Sequence, residues 1–146
     1  MIFKVKAFHE LTITELYDLL QLRSEVFVVE QNCVYQDVDA KDMNALHVLG
    51  YKNNALIAYA RLFNKEKYFS EASIGRVVVK ASERKFGYGH DLINQSITVI
   101  ENQFHTKTIQ ISAQTYLKQF YEAHGFVQQG NGYLEDGIPH IKMLRD

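Results

Sequence analysis

The chain opens on an alternation, with Phe3, Val5 and Ala7 set against Lys4 and Lys6. That period of two predicts a half-buried strand over residues 2–8. Thr12 followed by Glu15 is a capping-box pair, and Leu16, Leu19, Leu20, Arg23 and Phe27 then recur at helical spacing, which predicts a helix over 13–29. Residues 30–45 lose the periodicity and carry Asp37, Asp39, Lys41 and Asp42, the pattern of a polar surface loop. Two apolar runs, 46–51 and 56–63, are joined by Asn53-Asn54, whose side chains tolerate the positive φ of a tight hairpin. The run Ile74-Gly75-Arg76-Val77-Val78-Val79 is rich in β-branched residues and too continuous for an exposed edge, so it belongs in the middle of a sheet. Leu92, Ile93, Ile97 and Ile100 draw a helical stripe over 89–103, and strand resumes over 108–113. Leu117, Phe120, Tyr121 and His124 form a further helix that Gly125 closes. Phe126 and Val127 begin another strand, and a turn at Asp136-Gly137 leads into a terminal one. The order β-α-β-β-β-α-β-α-β-β predicts an α/β (α+β) fold, a mixed sheet covered by helices, in one domain spanning 1–146.

Composition narrows the field. With 16 basic and 17 acidic residues the formal charge is −1, which lacks the excess that drives binding to a phosphate backbone, so nucleic acid is not expected as a partner. A lone cysteine, Cys33, cannot form an internal disulfide and is expected to be a small buried residue in a reducing, cytoplasmic protein. The first residues lack the basic and apolar regions of a secretion signal, and no apolar run is long enough to span a bilayer, so no membrane partner is expected. The six histidines show no ligand spacing, and no metal is predicted. An exposed terminal strand offers an edge for pairing across a homodimer axis.

The segment from Val77 to Leu92 carries the chemistry: a strand, then Lys80-Ala81-Ser82-Glu83-Arg84-Lys85-Phe86-Gly87-Tyr88-Gly89-His90, then a helix. Glycines permit close approach of backbone to a ligand, the first N–H groups of the helix are unpaired donors at the positive end of its dipole, and Arg84 and Lys85 add charge. A phosphate or pyrophosphate is the expected guest. A dinucleotide fingerprint would need glycine where Leu92 stands, and no Gly-Lys-Ser/Thr triplet is present for a nucleoside-triphosphate loop.

Arg84-x-x-Gly87-x-Gly89 after a β-branched strand, followed about 30 residues later by Phe120-Tyr121-Glu122-Ala123-His124-Gly125-Phe126, resembles the GNAT superfamily of acetyl-CoA-dependent N-acetyltransferases. The first block is similar to its pyrophosphate signature and the second to its aromatic helix end. Phe27-Val28-Val29-Glu30-Gln31-Asn32-Cys33, Ile74-Gly75-Arg76-Val77 and Tyr133-Leu134-Glu135-Asp136-Gly137-Ile138-Pro139-His140 further resemble the ElaA-like branch. The resemblance implies a mostly antiparallel central sheet flanked by helices, with splayed fourth and fifth strands. It implies acetyl-CoA as co-substrate, its pantetheine arm along Val77, Val78 and Val79, its pyrophosphate on Arg84, Lys85, Phe86, Gly87, Tyr88, Gly89 and His90, and Gln114 beside it.

The same resemblance implies acetyl transfer to an amine acceptor by direct attack. That reaction needs stabilisation of a developing oxyanion, for which backbone N–H groups near Val78 are placed, and a proton for the departing thiolate. Tyr121 is the candidate general acid; an aromatic residue packing its helix is the plainer reading. Glu30, Glu135, Asp136 and His140 are candidate bases, His140 because imidazole titrates nearest neutrality among side chains. Gln31, Arg76, Glu135 and Asp136 are candidates for the acceptor side, with Arg76 either gripping an acceptor carboxylate or pairing with an internal acid. The acidic loop residues Asp37, Asp39 and Asp42, together with Glu135 and Asp136, hint at a cationic acceptor such as an amine or polyamine. A non-catalytic acyl-CoA sensor or interaction module on the same fold is the alternative.

Overall fold

The computed structural model describes all residues, 1–146. Seven strands form one sheet in the order β1-β2-β3-β4-β5-β7-β6. They are β1 (Ile2–Ala7), β2 (Leu46–Lys52), β3 (Ala55–Phe63), β4 (Ala72–Val79), β5 (Ile109–Gln114), β6 (Val127–Glu135) and β7 (Ile138–Arg145). Every neighbouring pair is antiparallel except β4–β5. The order of elements is the one the spacing predicts, and the Asn53-Asn54 turn is made with positive φ at both residues. The terminal strand is not an edge: β7 lies between β5 and β6, so the open edge on that side is β6.

Strand periodicity assigns each helix a face. In β3, Ala58, Ala60 and Leu62 point to the cluster that contains Leu92, Ile93, Ile97 and Ile100 of α2 (Tyr88–Val99 and the π-helical turns Ile100–Phe104). Tyr59 points to the other face, where it packs with Leu19 and Leu22 of α1 (Ile13–Arg23) and with Val26, Leu49 and Val78. Helix α1 starts at the predicted capping box, with Glu15 N–H donating to Thr12 Oγ1 at 3.0 Å and Thr12 N–H donating to Glu15 Oε1 at 2.9 Å. Its ladder then widens into π-helical turns over Ser24–Glu30, so the helix predicted over 13–29 is two kinds of helix in series. The helix predicted over 117–124 is short: a 3-10 turn (Thr115–Leu117) leads into α3 (Lys118–Glu122).

Two irregularities in β4 shape the centre of the molecule. Tyr59 pairs with Val78 but Arg61 with Gly75, so Arg76 and Val77 together oppose the single residue Ala60. This is a β-bulge, and it puts Arg76 at φ +48°, a left-handed conformation costing about 1–2 kcal/mol for a residue with a Cβ. On its other side β4 pairs with β5 only at Ala72↔Ile109 and Ser73↔Gln110. Beyond Ser73 the two strands diverge, leaving the β5-facing edge of β4 without a partner strand.

The loop over 30–45 departs from expectation. Instead of a solvated surface it carries Asp37 and Asp42, both buried, and lies against a fully buried Arg23. Arg23 donates from Nε to Asp37 Oδ2 at 2.8 Å, from Nη1 to Asp42 Oδ1 at 2.7 Å and from Nη2 to the Asp37 carbonyl at 2.9 Å. Arg61, also buried, donates to Asp39 Oδ1 and Oδ2 at 2.8 and 2.9 Å and to Asp42 Oδ1 at 3.0 Å. Three carboxylates that sequence places on a loop are thus spent on three arginines from α1, β3 and β4.

Candidate active site

The divergence of β4 from β5 opens a cleft of about 130 Å³. Its floor is the two diverging strands, from Ser73 to Val77 and from Ile111 to Gln114, with Tyr121 of α3 below them. Gln31, Cys33 and Tyr35, with Glu135, Asp136, Ile138 and His140 from the β6–β7 hairpin, complete the lining. Of the residues singled out in the sequence, Gln31, Arg76, Val77, Gln114, Tyr121, Glu135, Asp136 and His140 therefore meet around one space. The convergence follows from topology: β4 and β5 are parallel neighbours separated by a helix crossover, so residues 37 apart in sequence lie side by side.

Tyr121 is buried, its ring held edge-on by Phe120 and Phe126 with centroids 5.0 and 6.0 Å away. Burial pushes its phenol pKa up, and the neighbouring Tyr116 adds to the rise. A phenol so placed holds its proton firmly. His140 is buried, stacks on Tyr133 at 6.3 Å between centroids, and sets its Nδ1 2.7 Å from the Ile138 carbonyl. Since a carbonyl only accepts, Nδ1 carries a proton, and Nε2, on the other side of the ring, lies 3.4 Å from Glu135 Oε2. Ser112 links this corner, with its Oγ 2.6 Å from Tyr133 Oη and donating to Glu135 Oε1 at 3.2 Å. Sequence reasoning missed Ser112 and Tyr35, because no local motif marks a residue whose partners arrive from other strands.

Arg76 faces inward to acids. Its Nε lies 2.8 Å from Asp37 Oδ1, an ion contact whose N–H is not aimed at that oxygen, while Nη2 donates to the Asp37 carbonyl at 3.0 Å and to Asp39 Oδ2 at 3.4 Å. Asp39 feels burial, which would raise its pKa, but the hydrogen bonds and charge of Arg61, with Arg76 beyond, hold it down at about 2. Burial also raises the pKa of Asp42, and hydrogen bonds from Arg23 and Arg61 again reverse the sign. Of the acids that hint at a cationic acceptor, Asp37, Asp39 and Asp42 are thus neutralised internally, whereas Glu135 and Asp136 remain on the cleft. Cys33 is likewise not fully buried; it stands at the rim of the cleft, its thiol 3.4 Å from the Asp136 carbonyl.

A second group of singled-out residues lies outside the cleft, past the end of β4. Arg84, Lys85 and Phe86 sit on an exposed 3-10 segment (Ala81–Phe86), and Gly87 takes φ +74°, which glycine adopts without strain, to start α2. The Gly87 N–H has no backbone acceptor, and those of Tyr88 and Gly89 have none within their own helix, whereas His90 N–H closes on the Gly87 carbonyl at 3.1 Å. His90 is thus not a free donor of this loop; its ring instead sets Nδ1 2.8 Å from His124 Nε2. Gly89 lacks a side chain where a Cβ would come within 3.4 Å of the Phe120 ring. Arg84 donates from Nε to the Val79 carbonyl at 3.0 Å and from Nη2 to Glu30 Oε1 at 2.9 Å. Glu30 is therefore engaged at the phosphate-loop end and does not line the cleft. Lys80 N–H donates to the Ile57 carbonyl, so strand alternation turns Val78 toward β3 and gives Val79 the outward-facing backbone groups.

No group of three or more His, Cys, Asp or Glu side chains is placed to hold a metal ion, and no helix is long and apolar enough to cross a membrane. Residues 13–145 match the Acetyltransferase (GNAT) domain. The chain belongs to the GNAT acetyltransferase family. This GNAT chain is 42% identical over 139 residues to the protein ElaA of Escherichia coli K12, covering 94% of the chain and 91% of its relative. It superposes on the crystal structure of Escherichia coli ElaA with a TM-score of 0.92 at 39% identity, over 99% of each chain. It also superposes on an acyl-CoA N-acyltransferase from Pseudomonas aeruginosa with a TM-score of 0.94 at 40% identity, over 100% of each chain. The GNAT sheet, mostly antiparallel with one parallel, diverging pair, is the architecture described above, and the family transfers acyl groups from acyl-CoA.

Proposed function

We propose that this GNAT chain is an N-acetyltransferase that moves the acetyl group of acetyl-CoA to a primary amine by direct attack. The observation that carries the reading is the unpaired edge of β4 beyond Ser73, because it leads from an anion-suited helix start to a cleft holding a buried phenol and an imidazole. The outward N–H of Val79 and the free edge of β4 before it extend the sheet to the amide-bearing pantetheine arm, while the Val79 carbonyl holds Arg84. The N–H groups of Gly87, Tyr88 and Gly89, at the positive end of α2, hold the pyrophosphate. Arg84 exchanges Glu30 for a phosphate oxygen.

The chain's own groups then divide the proton transfers. His140 Nε2 takes a proton from the acceptor nitrogen while that nitrogen bonds to the thioester carbonyl carbon. Unpaired N–H groups on the β4 edge stabilise the oxygen as it gains charge, and as the carbon–sulfur bond breaks Tyr121 gives its proton to the thiolate. Thermal unfolding with and without acetyl-CoA, followed by thiol release against amines, tests this. Ligand at about 100 times Kd stabilises a fold by about 2.7 kcal/mol, worth several degrees here. No rise in melting temperature refutes the cofactor site. A rise without thiol release from any amine leaves the binding module.

A further inference from the structure

The charge ledger of the cleft points to the class of acceptor. The wall made by α1, β3, β4 and the 30–45 loop holds three guanidinium groups, on Arg23, Arg61 and Arg76, and three carboxylates, on Asp37, Asp39 and Asp42, so it is formally neutral. Its cations are also engaged with aromatic faces: the guanidinium of Arg61 lies 5.0 Å from the Phe63 ring centre, and that of Arg76 lies 5.7 Å from the Tyr35 ring centre. What charge remains on the lining is acidic and local, on Glu135 and Asp136 beside His140. Away from that corner the lining sets apolar side chains, Phe27, Phe63, Phe69, Ile74 and Ile111, beside the uncharged Gln31 and Gln114 and the paired Arg61 and Arg76.

We infer that the acceptor is a primary amine on an apolar, aromatic-sized body without a carboxylate, its ammonium drawn to Glu135 and its body lodged between Ile74 and the phenylalanines. This rests on the acyltransferase reading above. A carboxylate on the acceptor finds no unmatched charge, since Arg61 and Arg76 are paired with acids, though each leaves a buried Nε–H unbonded, and it meets Glu135 and Asp136 at the mouth. The second ammonium of a polyamine finds no acid on the lining beyond Glu135 and Asp136. Glu135, with its side chain 48% exposed and 3.4 Å from His140 Nε2, meets the incoming cation next to the nitrogen that removes its proton.

The test is thiol release from acetyl-CoA by the purified full chain with 2-phenylethylamine, phenylalanine and spermidine. The expected kcat/KM for 2-phenylethylamine exceeds that for the other two by roughly tenfold or more, the consequence of like-charge contact for phenylalanine and of an unpaired, desolvated ammonium for spermidine. Glu135→Gln is expected to raise KM for 2-phenylethylamine more than it lowers kcat and to narrow the margin over phenylalanine. Equal or better turnover of phenylalanine or spermidine overturns the inference and leaves acyl transfer standing. So does a Glu135→Gln variant with unchanged KM. Absence of thiol release from all three and from a wider set of amines, while acetyl-CoA still raises the melting temperature, overturns the acyltransferase reading and this inference with it.

Discussion

Replacing Arg23 by methionine, close to it in length and free of charge, is expected to destabilise the fold strongly and to damage the acceptor side of the cleft. Arg23 has no exposed surface and makes hydrogen bonds of 2.8, 2.7 and 2.9 Å to Asp37 and Asp42. The substitution leaves both carboxylates buried with one cation fewer, and removing one partner of a buried pair costs about 3–5 kcal/mol. For a chain of this size that corresponds to a fall in melting temperature of roughly 10 °C or more. The assay is thermal and urea unfolding of Arg23→Met, Asp42→Asn and the double variant. The two substitutions touch one network, so their effects should not add, with a coupling of about 1 kcal/mol or more. The acetyl-CoA-induced shift should survive in Arg23→Met, because the 81–90 loop takes no part in the cluster, while KM for the acceptor rises as Tyr35 loses its support. A variant melting within about 2 °C of wild type would refute the reasoning, since the attraction would then do no more than cancel desolvation.

Tyr121→Phe is expected to lower kcat by about 10²-fold with little change in KM, the signature of a lost proton donor, and its melting temperature should stay close to wild type. Glu30→Gln should tighten acetyl-CoA binding by a few-fold, because an exposed pair of about 0.2–1 kcal/mol no longer competes for Arg84; titration calorimetry reads it directly. Stability should fall with acid in two stages. Burial lowers the pKa of His47 below its ordinary value, so under about pH 6.5 the unfolded chain takes a proton that the folded one refuses, and stability drops. Burial opposes but Arg61 overcomes it at Asp39, whose pKa is about 2, so its contribution is present above the ordinary carboxylate range and is lost as pH falls toward that value. Urea midpoints measured from pH 8 to 3 check both slopes.

Local pattern was enough wherever the physics is local. The Thr12–Glu15 capping box, the Asn53-Asn54 turn, the period-two alternation of β1 and the glycine pair before α2 all depend on residues within a few positions of one another, and each forms as its spacing predicts. The GNAT family was legible for the same reason, since its two blocks are contiguous segments. What depends on distant partners was not legible. Asp37, Asp39 and Asp42 read as a solvated loop because their arginines come from α1, β3 and β4, and only packing shows that they are neutralised. Glu30 read as a base until Arg84, 54 residues away, was seen to hold it. The bulge at Arg76 and the two-residue pairing of β4 with β5 are decisions of register, made between strands, and a run of β-branched residues specifies only that a strand exists. Sequence by itself determined the elements, their order and the family; the tertiary structure decided where the sheet splits and which charges remain for a ligand, because strand register and charge pairing join residues that the chain keeps far apart.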